Sequence, residues 1–121
     1  MRKRSFLASF QTFLATSSAR TTTGQGGAVS TGVDRAQVAK LDITAVSGTS
    51  PTLTVTVEES PNGSTGWTTH SSFTAATAVS NQIIDLKKRS QPFLRASWTI
   101  GGTTPSFTFS VQIANSTSAL L

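Results

Sequence analysis

Much of the chain alternates between apolar and polar residues, which is typical of β-strands that bury one face. Within residues 52–58, Leu53, Val55 and Val57 share one face and threonines occupy the other. Two further segments alternate in the same way, with apolar positions at Leu94, Ala96, Trp98 and Ile100 and at Phe107, Phe109, Val111 and Ile113. The pattern predicts three strands, each with one buried face and one hydroxyl-rich face.

Three more segments have strand-like patterns, namely 38–46, 67–73 and 82–87. Turn signals separate the strands: SGTSP at 47–51, SPNGSTG at 60–66 and GGTTP at 101–105. This organisation predicts an all-β fold, a small antiparallel β-sandwich or barrel of about six to seven strands with an extended N-terminal arm. Ile83 and Ile84 are adjacent, so one of them is expected to face outward or to sit at a bulge.

The first 36 residues follow a different pattern and are predicted to form the arm, with the body spanning residues 37–121. A short amphipathic segment over residues 4–15 opens the arm, with apolar residues recurring at helical spacing. These residues are Phe6, Leu7, Phe10, Phe13 and Leu14. Such a stripe must pack on its own domain, on a partner or on a membrane surface. A secretory signal peptide is the main alternative, although Gln11 and Thr12 interrupt the apolar run.

Residues 16–36 form a Ser/Thr/Gly-rich linker without an apolar period. Alone in solution, a segment of this composition is expected to be flexible. It becomes ordered by lying on another surface, which favours an arm that wraps a neighbouring subunit. The arm's own domain is the other surface that could hold it.

The composition argues against catalysis. A chain of 121 residues fits one domain, and the absence of cysteine excludes disulfides, a thiolate nucleophile and a cysteine zinc site. His70 is the only histidine, and the acidic residues number five. With so few acid–base groups we expect no enzyme activity, no cofactor and no metal site.

The remaining polar and aromatic residues have structural interpretations. Glu58 and Glu59 are neighbours on a predicted strand and should point to opposite faces, with one of them near Lys87 or Arg95. The two tryptophans, Trp67 and Trp98, are expected to pack in the core or against a turn.

Charge is concentrated in the first third of the chain. Residues 1–40 contain six basic residues and one acidic residue, whereas residues 41–121 contain four of each, so the formal net charge of +5 lies in the first segment. We therefore predict that the arm binds a partner, through Arg2, Lys3, Arg4, Phe6, Leu7, Phe10, Phe13, Leu14 and Arg20. Nucleic acid is not expected as the partner, because the basic residues are sparse and no aromatic-lined basic groove accompanies them. A membrane is not expected either, since the apolar stretch is too short to span a bilayer.

Two stretches carry a resemblance to a known family. LDITAVSGTSPTLTVTVEESPNGSTGW at 41–67 and RASWTIGGTTPSFTFSVQI at 95–113 resemble small β-rich proteins encoded among the virion structural genes of tailed bacteriophages. In that family a strand ending in AVSGTSPTL, a middle turn like SPNGSTGW and a final WTIGGTTPSFTFSV hairpin occur in this order. The resemblance covers most of the body and leaves out residues 1–36.

The resemblance implies a non-enzymatic virion protein, assembled in the host cytoplasm. Together with the arm, it favours a capsid decoration, or cement, protein that docks on the major capsid protein through the arm, stabilises the shell and forms a homo-oligomer. A tail, neck or fibre-attachment component is the alternative. A carbohydrate-binding module is a third, which would present exposed aromatic residues on one face.

Overall fold

The structure is a computed structural model that describes residues 7–8, 12–30, 37–86 and 91–117. Across these ranges the regular structure is entirely β, which confirms the predicted all-β fold. The eight strands are β1 Leu7–Ala8, β2 Thr12–Arg20, β3 Gly24–Gln25, β4 Val29–Ser30, β5 Gln37–Ser60, β6 Thr68–Ser72, β7 Ser80–Leu86 and β8 Phe93–Thr117.

Two long strands form the centre of the fold. β5 and β8 pair antiparallel along their whole lengths, from Gln37 opposite Asn115 to Ser60 opposite Phe93. β6 and β7 pair with the two ends of β5, and β1, β2, β3 and β4 pair with β8. Each end of the central pair is therefore flanked on both sides, which produces two layers with equivalent strand orders.

Both central strands fold over in the middle, at the predicted turn signals. Gly48 and Gly102 have φ angles of 110° and 114°, and Ser50 and Thr104 also have positive φ. The change of direction at 47–51 and 101–105 carries each strand from one layer into the other. The expectation of a hairpin at 101–105 is therefore wrong, because residues 93–101 and 105–117 both pair with β5 rather than with each other.

The two bends, at 47–51 and 101–105, lie within the two copies of an internal sequence repeat. VSGTSPTLTVTV at 46–57 recurs as IGGTTPSFTFSV at 100–111, a spacing of 54 residues. Val46 pairs with Phe107, and their counterparts 54 residues away in the repeat, Ile100 and Leu53, pair with each other. The pairing register is thus consistent with an approximate two-fold axis between the two bends.

The inward faces of the two layers form one core. Inward side chains from residues 39–43 and 107–113 pack against those from 53–57 and 94–98 in a single buried cluster. The predicted alternation is confirmed, since the largest fully buried residues are Phe107, Phe109, Leu41, Ile43, Leu53, Leu86 and Leu94.

Residues 12–30 of the predicted arm lie on the chain's own body. They follow β8 antiparallel, with Arg20 opposite Phe107, Gly24 opposite Trp98 and Val29 opposite Leu94. The helical interpretation is wrong for the described part of residues 4–15, because residues 7–8 and 12–15 lie in strands. The reason is that β8 offers a sheet edge whose backbone groups this segment can satisfy. The linker is likewise held by its own domain over residues 16–30.

Candidate interaction surface

The predicted partner-binding residues have different positions in the structure. Arg2, Lys3, Arg4, Phe6 and Phe10 lie outside the described residues. Leu7 lies in β1, where its backbone is opposite that of Thr117. The remaining three, Phe13, Leu14 and Arg20, all lie in β2.

Leu14 belongs to the core and is only 2% exposed. It lies at a register irregularity of β2, which turns Leu14 and Ala15 inward together. Gly26 approaches the Leu14 carbonyl so closely that a Cβ at position 26 would overlap the carbonyl oxygen. Leu14 therefore holds β2 and the segment at 25–27 on the body and presents no free surface to a partner.

Arg20 is also engaged within the chain. Its guanidinium carbon lies 4.7 Å from the centroid of the Trp98 ring and 4.6 Å from that of Phe109. Its nitrogens donate hydrogen bonds to the carbonyls of Thr16 at 2.7 Å and Phe109 at 2.8 Å. Burial lowers the pKa of Arg20 from its ordinary value, and the group remains charged at neutral pH because arginine begins from a very high pKa. Arg20 thus joins β2 to both layers of the sandwich.

Of the three predicted residues in β2, Phe13 is the one that faces solvent, with 42% of its surface exposed. It lies opposite Gln112, which lies opposite Lys40, which in turn lies opposite Ile83. These four residues form one row across a layer, with side chains on the solvent face and an exposed apolar residue at each end. The expectation for the isoleucine pair is confirmed, because Ile83 is 59% exposed and Ile84 packs against the core.

An open cleft of about 490 Å³ is lined by residues of β2 and of the segment at 25–29. Its lining includes Phe13, Arg20, Gly26, Val29 and Trp98. Among the residues that the structure describes, no carboxylate or imidazole lines this cleft. Within this described lining, Arg20 is the only ionised side chain.

A second cluster lies on the outer face of the other layer. Arg95 donates a hydrogen bond from Nε to Glu58 Oε1 at 2.7 Å, and its guanidinium carbon lies 4.3 Å from the Trp67 ring centroid. The expectation that a glutamate lies near Arg95 is confirmed for Glu58. Trp98 is 7% exposed and belongs to the core, as expected. Trp67 is only partly buried and stacks with Arg95 on the outer face, rather than in the core.

Titratable groups are dispersed over the part of the chain that the structure describes. His70 Nδ1 lies 2.8 Å from the hydroxyl of its neighbour Ser71. Within 7–8, 12–30, 37–86 and 91–117, no three histidine or acidic side chains are grouped so that they could hold a metal ion. The same ranges contain no helix long and apolar enough to cross a membrane.

Comparisons of the chain with family models, curated proteins and solved structures give no match. The candidate surface is therefore defined by the molecule's own features: the outer face that carries Phe13 and Ile83, and the basic segment that precedes β2.

Proposed function

We propose that this protein is a non-enzymatic structural component of a tailed-bacteriophage virion, which decorates the capsid. In this proposal the segment before residue 12 binds the capsid shell, and the β-sandwich is displayed on the outside. The observation that carries the proposal is the division of the predicted arm. Residues 12–30 are anchored along β8, while the basic residues 2–4 precede the first described strand.

Because residues 12–30 are held on the body, docking on the capsid costs less conformational entropy. Fixing a backbone residue costs about 1–2 kcal/mol of conformational entropy, and this cost would be large if the whole 36-residue arm were ordered on the capsid. Residues 12–30 are already ordered by pairing with β8. Docking therefore has to order fewer residues than the whole arm, and Phe6 and Phe10 of the segment before residue 12 offer apolar area to the shell.

Charge favours the same segment. Arg2, Lys3 and Arg4 are consecutive, whereas residues 41–121 carry equal numbers of acidic and basic side chains. A cationic segment on a neutral body steers association toward an acidic surface and makes the association rate sensitive to salt. Binding at many equivalent sites on a shell then strengthens attachment through multivalency when copies are linked.

The test is cosedimentation with empty capsids of the same phage, and separately with purified tails. We expect the wild-type protein to sediment with capsids and to raise their melting temperature, because a ligand that binds only the assembled shell stabilises it. A variant with Arg2→Gln, Lys3→Gln and Arg4→Gln should lose most of this binding. Its matched control changes Lys87, Lys88 and Arg89 to glutamine, which removes the same charge from the body, and should bind like wild type.

Two outcomes of this experiment would contradict the proposal. Binding to tails and not to capsids would support the tail, neck or fibre-attachment alternative and contradict the decoration proposal. Equal capsid binding by the two triple variants would contradict docking through the segment before residue 12.

A further inference from the structure

The exposed edges of the two layers differ in regularity. β2 has two register irregularities, β6 is five residues long with one irregularity, and β3 and β4 have two residues each. Irregular and short edges resist pairing with another chain, because they do not present a continuous row of backbone groups.

β7 is the exception among the described edges. Its seven residues pair with β5 without interruption, from Leu86 opposite Gln37 to Ser80 opposite Ile43. Its other side has no backbone hydrogen bond to any residue within the described ranges. β7 contains no proline and no lysine, Asp85 is its only charged residue, and Ile83 is exposed at its centre. A long, regular and weakly charged edge of this kind is suited to accept another strand.

The sequence of β7 complements itself in the antiparallel direction. If Ile83 of one copy lies opposite Ile83 of a second, then Asn81 lies opposite Asp85 and Ser80 opposite Leu86. The two exposed isoleucines then cover each other on the outer face. No two aspartates lie directly opposite, and the Asn81 amide can donate to the partner carboxylate.

Other two-fold registers are less favourable. A shift of two residues in either sense places Ile83 opposite Asp85 or opposite Asn81, so that the apolar side chain meets a polar one. A shift of one residue places Ile83 opposite Ile84 of the second copy. The Ile83 side chains of the two copies then lie on opposite faces of the joined sheet.

We propose that β7 pairs antiparallel with β7 of a second copy of this chain, across a two-fold axis at Ile83. The pairing joins two layers into one continuous sheet, with β2 of each copy at the ends. It is an isologous interface, as expected for a symmetric dimer. A seven-residue strand pair buries less than the roughly 1,600 Å² of a standard interface, so association should depend on concentration. Pairing through β7 is independent of capsid binding.

The test uses the absence of cysteine in the chain. Ile83→Cys introduces one thiol, and directly opposite residues in an antiparallel pair have Cβ atoms about 4.5–5.5 Å apart. Val79→Cys is the matched control, because Val79 is 60% exposed and Ile83 is 59% exposed. In the proposed register the two copies of residue 79 lie on the order of 27 Å apart along the strands.

After oxidation with diamide of the purified full-length variants, we expect a covalent dimer with Ile83→Cys and at least tenfold less with Val79→Cys. Equal cross-linking of the two variants, or none with Ile83→Cys, would overturn the proposal.

Sedimentation equilibrium supplies a second measurement that needs no oxidation. Wild-type protein should dimerise with increasing concentration, and Ile83→Lys should stay monomeric because it places two cations opposite each other. Phe13→Lys, an equivalent change at the other end of the same row, should dimerise like wild type. A monomeric wild type, or dimers of Ile83→Lys, would contradict the pairing. Circular dichroism verifies that each variant is folded.

Discussion

Trp98 meets Phe109 edge-on, with ring centroids 5.4 Å apart and ring planes at 80°. The two residues are eleven positions apart on the same strand, and a straight strand would place their Cα atoms about 36 Å apart. The contact therefore depends on the fold at 101–105, which brings one half of β8 over the other. Arg20 lies against both rings and closes this part of the core.

The fold at 101–105 requires glycine at position 102. Gly102 has a φ of 114°, and a Cβ there would lie 2.7 Å from the Ser50 carbonyl oxygen. We expect Gly102→Ala to reduce the free energy of unfolding by about 2–4 kcal/mol, because it adds overlap to an unfavourable dihedral angle. Gly27→Ala is the control, since a Cβ at that position has no neighbour within 4 Å. Urea denaturation measures both variants, and equal stabilities would contradict the described geometry of the fold.

Removal of the Arg20 guanidinium should lower the stability of the β-sandwich itself, because its contacts lie within the chain. Arg20→Met loses two ring contacts and the hydrogen bonds to backbone carbonyls, and we expect a loss of roughly 2 kcal/mol in unfolding free energy. Arg20→Lys should recover part of it, because an ammonium keeps the charge without the planar donors. Arg4→Met, which precedes the first described strand, should leave stability unchanged. The idea fails if Arg20→Met unfolds at the same urea concentration as wild type.

The turn predicted at 60–66 depends on two polar side chains. The buried Ser60 hydroxyl accepts from Gly63 N at 3.0 Å and donates to the Thr65 carbonyl at 2.6 Å. Asn62 Oδ1 accepts from Ser64 N and Thr65 N, both at 2.9 Å. Ser60→Ala and Asn62→Ala should each cost about 1–3 kcal/mol, because backbone groups lose their partners. Asn62→Asp keeps both acceptor bonds and should cost less than Asn62→Ala; the reverse order in thermal denaturation would count against this account.

Two truncations separate the anchored part of the arm from the part before it. Deletion of residues 2–20 removes β2 with Leu14 and Arg20, exposes the edge of β8, and should lower the melting temperature markedly. Deletion of residues 2–6 leaves every strand that the structure describes in place and should preserve the melting temperature. A stable 2–20 deletion would show that β2 is dispensable for the fold. Capsid binding should be lost in both variants, so only the shorter deletion tests docking without disturbing the body.

The alternation of apolar residues was sufficient to predict the β class, the core positions and the outward side chain of Ile83. Period-two alternation is a local property that strands retain wherever they pair. The turn at 60–66 was also predictable, since Asn and Gly have intrinsic turn preferences. The same local signals could not distinguish a hairpin at 101–105 from a bend that carries β8 from one layer into the other. The difference depends on whether the flanking residues pair with each other or with β5.

The interaction residues were harder to predict. Phe13 and Leu14 fit both a helical spacing and a strand. They lie in a strand because this segment pairs with the edge of β8, a tertiary contact that the local sequence does not reveal. Arg20 was recognisable as a cation, but its stacking on two aromatic rings was not predictable, because those rings are distant in sequence. The 54-residue repeat was the signal that could have revealed the two equivalent folds.

The most direct test of the central proposal is the position of the chain in an intact virion, determined by cryo-electron microscopy of the phage that encodes it. The decoration proposal predicts β-sandwich density at repeated positions on the outer surface of the capsid, with the N-terminal segment against the major capsid protein. Density for this chain on the tail alone, or its absence from the particle, would contradict the proposal.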